Sequence, residues 1–279
     1  MLSRMERLKQ LCAAEGLLQC PVCGDALRVD GNALVCGSRH SYNLNRKGFV
    51  SFLNRPVSDF YDAALFEARG RVFASGAYDA VADALAELLP DKPCRLLDAG
   101  CGDGWYLRRL LEKRPDCAGA GIDLSRDAVA AAAGSGCTAV WCVGDLRRMP
   151  FADAAFDAVL DVLTPADYSS FRRVLKPGGC LLKVFPGGEY LKELRAARGL
   201  APYEEGSVLA HLERHTRVQT LRRVRTVVPV DAALWRDFVY MTPLNADLTT
   251  AEKDAVPVSE TVTVDLCVAR VTPDAAGEA

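Results

Sequence analysis

The stretch CRLLDAGCGDGWYL, residues 94–107, decides the fold of this chain. An apolar pair, Leu96-Leu97, meets Asp98 and then Gly100, Gly102 and Gly104 before a helical pattern opens at Trp105. This order reads as a strand, a tight glycine turn and a helix N-terminus. Glycines permit positive φ and let a ligand touch the backbone, while a helix start offers unpaired N–H groups. The stretch is therefore a candidate site for a nucleotide-like cofactor.

Downstream, strand and helix signals alternate. Strands are expected at 118–122, 139–143, 158–163 and 180–185, and helices at 107–111, 128–133 and 168–175. Such β-α-β alternation implies a parallel sheet covered on both faces, with a ligand at the carboxyl ends of its strands. Residues 224–230 and 261–271 have the character of a closing pair of strands. A glycine loop alone is a weak signal, because several nucleotide folds share it. Here the spacing is D-x-G-C-G-D-G, which differs from the dinucleotide fingerprint G-x-G-x-x-G. Asp123, in Gly121-Ile122-Asp123-Leu124-Ser125, ends the next strand, where its carboxylate can accept both ribose hydroxyls. Gly144-Asp145-Leu146, trailed by Met149-Pro150-Phe151, supplies another carboxylate and apolar surface for an adenine ring.

This spacing, with Phe156-Asp157-Ala158-Val159 and the turn Arg173-Val174-Leu175-Lys176-Pro177-Gly178-Gly179, resembles the class I S-adenosylmethionine (SAM)-dependent methyltransferases. The resemblance implies an α/β Rossmann-like sheet of order 3-2-1-4-5-7-6 with strand seven antiparallel. It places Asp98 near the methionine amino group and Gly100, Gly102 and Gly104 along the cofactor. It also puts Asp123 with Leu124 at the ribose and Asp145 with Leu146 at the adenine. Cys101 is expected to be a packing residue.

Upstream, Cys20-Pro21-Val22-Cys23-Gly24 is followed by Cys36 and His40. Two ligand pairs on two turns can meet tetrahedrally around Zn²⁺, and four protein ligands leave no open position, so the metal is expected to be structural. Residues 26–29 and 33–35, flanking Asp30-Gly31-Asn32, suit a hairpin between the turns. The following stretch YNLNRKGFVSFLNRP, residues 42–56, leaves two readings open. Arg46, Lys47, Arg55, Tyr42, Phe49 and Phe52 either contact RNA by phosphate pairing and base stacking, or the aromatics close a small core.

Met1 to Gln10 is charged and amphipathic, unlike a secretory signal, so most of the 11 cysteines are expected to be reduced, metal-bound or buried. No apolar run approaches the roughly 20 residues of a membrane span, and a cytoplasmic enzyme is expected. The net charge of −2 excludes a uniformly basic coat, so a nucleic-acid role must come from patches. Two are visible. Arg4, Arg7, Lys9, Arg28, Arg39, Arg46, Lys47 and Arg55 outnumber Glu6, Glu15, Asp25 and Asp30 at the N-terminus. Arg214, Arg217, Arg222, Arg223 and Arg225 precede the expected sixth strand. His211 and His215 are four apart on an expected helix, with no third ligand apparent.

Two nucleic-acid signatures are missing. Thr164-Pro165-Ala166 stands where carbon-5 cytosine methylation needs a cysteine, and Asp161-Val162-Leu163-Thr164-Pro165 departs from the D/N-P-P-F/Y of exocyclic-amine methylation. The acceptor is therefore expected to be another nitrogen, or an oxygen. The chain from Leu18 to Arg270 resembles the bacterial 23S rRNA guanine-N1 methyltransferase family. The likeness rests on the CPxC…CxxxH module, the tail from His40 to Leu53, the Ala68–Tyr78 helix end, the methyltransferase core, Pro186–Leu194 and Met241-Thr242-Pro243. That resemblance implies zinc ligation by Cys20, Cys23, Cys36 and His40, cofactor contacts at Tyr78, Gly104 and Trp105, a 23S rRNA hairpin substrate and a homodimer. Tyr190, where the family often has His, is taken as a further cofactor-side residue. Pro56-Val57-Ser58-Asp59 and Ala201-Pro202-Tyr203-Glu204-Glu205 also depart from the family pattern. Asp161, placed just beyond the fourth strand, is the candidate base. The expected divisions are a zinc module at 1–56, a helical connector at 57–89, a methyltransferase domain at 90–271 and a tail at 272–279. A methyltransferase for a small molecule or protein, and a non-catalytic cofactor-sensing or RNA-binding module, are the competing readings.

Overall fold

The computed structural model describes residues 2–14, 16–53 and 63–273. Glu15, Arg55, the Pro56–Asp59 segment, the boundary between residues 56 and 57, and the tail after Pro273 lie outside the described residues. Helix α1 (Arg4–Cys12) opens on a capping box in which Ser3 and Glu6 satisfy each other's backbone N–H groups at 3.2 and 2.8 Å. Strands β1 (Arg28–Asp30), β2 (Ala33–Val35) and β3 (Ser41–Asn43) form a small antiparallel sheet. The β1–β2 hairpin turns at Gly31-Asn32, with Gly31 at φ +57°. Strand β4 (Phe49–Ser51) leaves this module, and helices α2 (Ala63–Ala74) and α3 (Asp79–Glu87) lead to the larger unit.

There the elements are β5 (Arg95–Ala99), α4 (Trp105–Lys113), β6 (Ala118–Asp123), α5 (Arg126–Gly134), β7 (Ala139–Val143), β8 (Phe156–Val162), α6 (Tyr168–Val174) and β9 (Leu175–Pro186). Helices α7 (Lys192–Ala197) and α8 (Gly206–Glu213), strand β10 (Thr216–Pro229), helices α9 (Ala232–Met241) and α10 (Thr250–Asp254), and strand β11 (Thr261–Pro273) complete it. The sheet order is β10-β11-β9-β8-β5-β6-β7-β4. Counted from β5, this is the expected 3-2-1-4-5-7-6, with β11 antiparallel to both its neighbours. An eighth strand, β4, was not expected: it extends the sheet by pairing parallel to β7.

Strand β8 is buried along its whole length, which suits a central parallel strand covered on both faces. One apolar layer joins Val72, Leu85, Leu107, Val129 and Phe238 from α2, α3, α4, α5 and α9. The other joins Leu8, Leu34, Phe171 and Leu212 from α1, the small sheet, α6 and α8. The N-terminal module thus covers the same sheet face as α6.

Several boundaries differ from the sequence reading. Strand β10 begins at Thr216, well before residue 224, because it is a sheet edge whose side chains are mostly exposed, so no apolar run marks its start. Strand β9 begins at Leu175, taking in the Lys176–Gly179 turn. Strand β11 includes Thr272 and Pro273, which the reading had assigned to the tail. Helix α9 went unrecognised although it buries Trp235, Phe238, Val239 and Met241.

Candidate active site and metal centre

The glycine loop follows β5 as expected. Gly100, Gly102 and Gly104 have φ of +80°, +54° and +75°. Two of them also lie where a side chain has no room. A β-carbon at Gly100 would fall 2.5 Å from Thr164 Oγ1, and one at Gly104 would fall 2.4 Å from Trp141 Cη2. The Gly100 and Cys101 N–H groups both donate to the Ile122 carbonyl, at 2.8 and 3.0 Å, so the loop is laced to the end of β6.

Asp123 strengthens that lacing. Its Oδ2 accepts from Gly102 N and its Oδ1 from Ser125 N, each at 2.8 Å. Burial raises its carboxyl while these backbone donors pull it down. Leu124, the next residue, is exposed. Asp98 is different. It is 2% exposed, its Oδ2 has no hydrogen-bond partner, and burial followed by the nearby Asp123 charge pushes its carboxyl up to about 8. An orphaned carboxylate of this kind fits a cationic ligand group, the ammonium of a methionine moiety. The donor set therefore fits SAM.

Asp145 caps the short 3-10 turn Leu146–Arg148. It accepts from Arg147 N at 2.9 Å and pairs with the Arg147 guanidinium at 2.8 Å, which holds its carboxyl below the usual range. Leu146 is half-buried, with Met149 and Phe151 fully buried behind it. Tyr78 and Tyr190 come together, their hydroxyls 2.8 Å apart. Trp105 is buried and its ring stacks on Phe73 at 4.5 Å, so its indole packs against α2. Cys101 is buried, and burial holds its thiol well above the usual range. Asp161 lies inside β8 rather than beyond it. It is fully buried, and its Oδ2 sits 2.8 Å from Lys183 Nζ. Burial pushes its carboxyl up to about 6 even though Lys183 opposes the shift.

Sequence reasoning missed Tyr106 and Lys183. The Tyr106 hydroxyl is buried without a partner, and burial holds its phenol well above the usual range. Its place one residue inside α4 was the available signal. Lys183 sits in an apolar run, where a lone cation marks a buried pair.

Among the described residues, the group able to hold a metal is Cys20, Cys23, Cys36 and His40, whose ligand atoms all lie within 4.8 Å of one another. Cys23 Sγ and Cys36 Sγ are 3.6 Å apart, and His40 Nδ1 is 3.5 Å from Cys20 Sγ and 3.4 Å from Cys36 Sγ. Ligand bonds of about 2.3 Å to sulfur and about 2.0 Å to nitrogen give tetrahedral edges of about 3.5–3.8 Å, so the set fits Zn²⁺. Burial opposes ionisation of Cys20, but the Tyr42 hydroxyl at 3.2 Å and the backbone N–H groups of Cys23 and Val22 bring its thiol down to about 6.

Of the two readings left open for residues 42–56, the aromatics take the second, and the free basic patch expected at Arg214–Arg225 is corrected. Tyr42, Phe49 and Phe52 are buried, with the Tyr42 and Phe52 rings 4.8 Å apart, so they close a core and present no stacking surface. Most of the second basic cluster lies within β10 and is already neutralised. Arg222 pairs with Glu87, Arg223 with Asp265 and Arg225 with Glu189. Arg28, Arg39, Arg46 and Lys47 remain exposed on the N-terminal module. The His211 and His215 rings meet at 4.8 Å, and His215 stacks on Tyr168.

Both parts of the chain have relatives among known proteins. The family description "RlmA, N-terminal", a zinc ribbon, matches residues 18–58, and "Methyltransferase domain" matches residues 96–179. A Bacillus subtilis (strain 168) protein named "Putative 23S rRNA (guanine-N(1)-)-methyltransferase YxjB" is 36% identical over 90% of this chain and 95% of its own length. The 23S rRNA (guanine(748)-N(1))-methyltransferase of Streptomyces fradiae is 33% identical over 77% of this chain and 80% of its own. A chain from the complex of the Haloferax volcanii Trm112 methyltransferase activator with a methyltransferase superposes with a TM-score of 0.51. It is 18% identical and covers 79% of this chain and 99% of that one, a likeness of fold. With its zinc ribbon ahead of a class I SAM-dependent methyltransferase core, the chain belongs to the 23S rRNA (guanine-N1)-methyltransferase family.

Proposed function

We infer that this protein transfers the methyl group of SAM to guanine N1 in a hairpin of 23S rRNA. The observation that carries the reading is the 36% identity to a relative so named, running through both the zinc ribbon and the methyltransferase core. When bound, SAM supplies an electrophilic methyl group on sulfur. Everything else falls to the chain, which must hold both reactants in line and exclude water.

Asp98 is assigned to the methionine ammonium, because its Oδ2 is buried and unpaired. Gly100, Gly102 and Gly104, whose positive φ shapes the loop, are assigned to backbone contacts with the cofactor, and Asp123 with Leu124 is assigned to the ribose. Asp145 with Leu146 is assigned to the adenine edge, and Tyr78 and Tyr190 to the wall between α3 and the segment after β9. Trp105 is assigned through its backbone position at the start of α4. Guanine N1 carries a proton that must leave to solvent water, and Asp161, fully buried, is assigned to act through its neighbours rather than by touching the base.

The zinc module is assigned to RNA docking through exposed Arg28, Arg39, Arg46 and Lys47, which suit a phosphate backbone. A pair of such modules in a homodimer would flank the hairpin. No helix among the described residues is long and apolar enough to cross a membrane. The test is incubation with labelled SAM and unmodified 23S rRNA, followed by nucleoside analysis. N1-methylguanosine is expected, and label in protein or a small molecule with none in RNA would overturn the reading.

A further inference from the structure

Lys183 and Asp161 face each other across the β8–β9 register, and both are buried. Lys183 Nζ donates to Asp161 Oδ2 at 2.8 Å and to the Thr164 carbonyl at 2.6 Å. The Leu163 N–H donates to the Val184 carbonyl at 3.0 Å, and Thr164 Oγ1 to the Val162 carbonyl at 3.3 Å. The Leu163-Thr164-Pro165 turn is thus fastened from three sides at the carboxyl end of the central strands. Two consequences are visible. Leu163 is held at φ +54° and is 41% exposed, a costly backbone for a large residue. Thr164 is pressed onto Gly100 of the cofactor loop.

A buried ion pair is weak ground for stability, since well-packed apolar residues often serve as well or better. A strained, exposed leucine beside a cofactor loop is a mark of function. The Tyr168 phenol lies close to the pair: burial first and then the Asp161 charge push it up to about 12.

We propose that Lys183, through Asp161 and the Thr164 carbonyl, is a positioning residue that sets the Leu163–Pro165 turn as the acceptor-side wall of the methyl-transfer site. The proposal rests on the SAM-dependent rRNA methylation inferred above. Its chemistry is geometric: the ammonium fixes a carbonyl, the carbonyl fixes the turn, and the turn sets where an acceptor base meets the cofactor.

The test compares wild type with Lys183→Met, Lys183→Arg and the paired apolar replacement Asp161→Leu/Lys183→Met. The last keeps the comparison open if a lone buried carboxylate unfolds the single variant. Amide hydrogen exchange, SAM affinity by calorimetry, and turnover on unmodified 23S rRNA are measured on each folded protein. In the double variant, exchange at residues 163–166 should rise at least about tenfold while the body of β8 is unchanged. SAM affinity should stay within about threefold, and kcat should fall roughly 100-fold with little change in KM for RNA, as expected of a misplaced reactant. Lys183→Arg should recover most of kcat. Unchanged exchange, wild-type kcat in the folded double variant, or a loss of SAM affinity matching the loss of kcat would overturn the proposal. If wild type methylates no RNA, the functional reading fails instead, and hydrogen exchange alone decides the clamp.

Discussion

The ring of Trp141, on β7, lies directly over Gly104 at the start of α4, so close that a β-carbon on Gly104 would sit 2.4 Å from Cη2. Gly104 also has φ +75°. Gly104→Ala therefore meets two penalties, a left-handed backbone and an overpacked indole, and should cost roughly 2–4 kcal/mol. Thermal or denaturant unfolding should show the loss, and calorimetry should show weakened SAM binding, since the helix start moves. A variant as stable as wild type would mean that the indole swings aside freely.

Asp98 should report cofactor binding through protons. Its carboxyl is raised to about 8 by burial first and the Asp123 charge second, so at pH 7 it is mainly protonated in the ligand-free fold. A cationic ammonium beside it favours the ionised form, so binding at pH 7 should release up to about 0.9 proton, falling toward zero above pH 9. Calorimetry in buffers of different ionisation enthalpy measures this. Asp98→Asn should release none and bind SAM about 10- to 100-fold more weakly.

The same carboxyl sets a stability trend for the ligand-free protein. A folded value raised above the unfolded 3.8 costs nothing where both states are protonated. It costs progressively more as pH climbs from about 4 to about 8, and is level above that. Asp98→Asn removes this cost, so the free variant should be the more stable protein at pH 8, by on the order of 1–3 kcal/mol, with the gap closing toward pH 4. Unfolding curves at both pH values check the sign.

Zinc should stabilise more than its own module. The module delivers β4 to the edge of the main sheet and forms a bridge from Leu18 to Phe151, and it shares an apolar layer with α6. Elemental analysis should find one Zn²⁺ per chain. Cys36→Ser or strong chelation should lower the melting temperature of the whole protein by roughly 5–10 °C, at roughly 2–4 °C per kcal/mol. Loss of metal without any shift would mean that the sheet stands without its eighth strand.

The hydroxyl pair Tyr78–Tyr190 ties the start of α3 to the segment after β9 at 2.8 Å. Tyr190→Phe should cost about 1 kcal/mol and leave the Tyr78 hydroxyl buried and unpaired. The double phenylalanine variant should lose less than the sum of the singles, a coupling that a double-mutant cycle in unfolding experiments reads directly.

The parallel sheet and its ligand loop were legible because central strands and glycine turns are written locally: Leu96-Leu97 before Asp98, Asp123 closing β6, and a continuous buried run in β8. The zinc ligands were legible from spacing alone. What escaped depends on the far side of the chain. Nothing near Phe49-Val50-Ser51 says that β4 will pair with Trp141–Val143 on the main sheet. Likewise the arginines of β10 looked like a free basic patch, until Asp265, Glu189 and Glu87 folded onto them. Asp161 was noticed as a carboxylate near the acceptor, but its partner Lys183 lies 22 residues on and becomes its neighbour only through the β8–β9 register. Long-range pairing reassigns charges that look available in the chain.

A methyl group on guanine N1 blocks the Watson–Crick edge, so the most direct measurement is reverse transcription through 23S rRNA treated with the protein and SAM. Wild type should produce a single strong stop at a hairpin guanine, dependent on SAM and, with Asp98→Asn, requiring about 10- to 100-fold more SAM for the same intensity. Full-length transcripts from wild-type reactions in which SAM is nevertheless consumed would contradict the account.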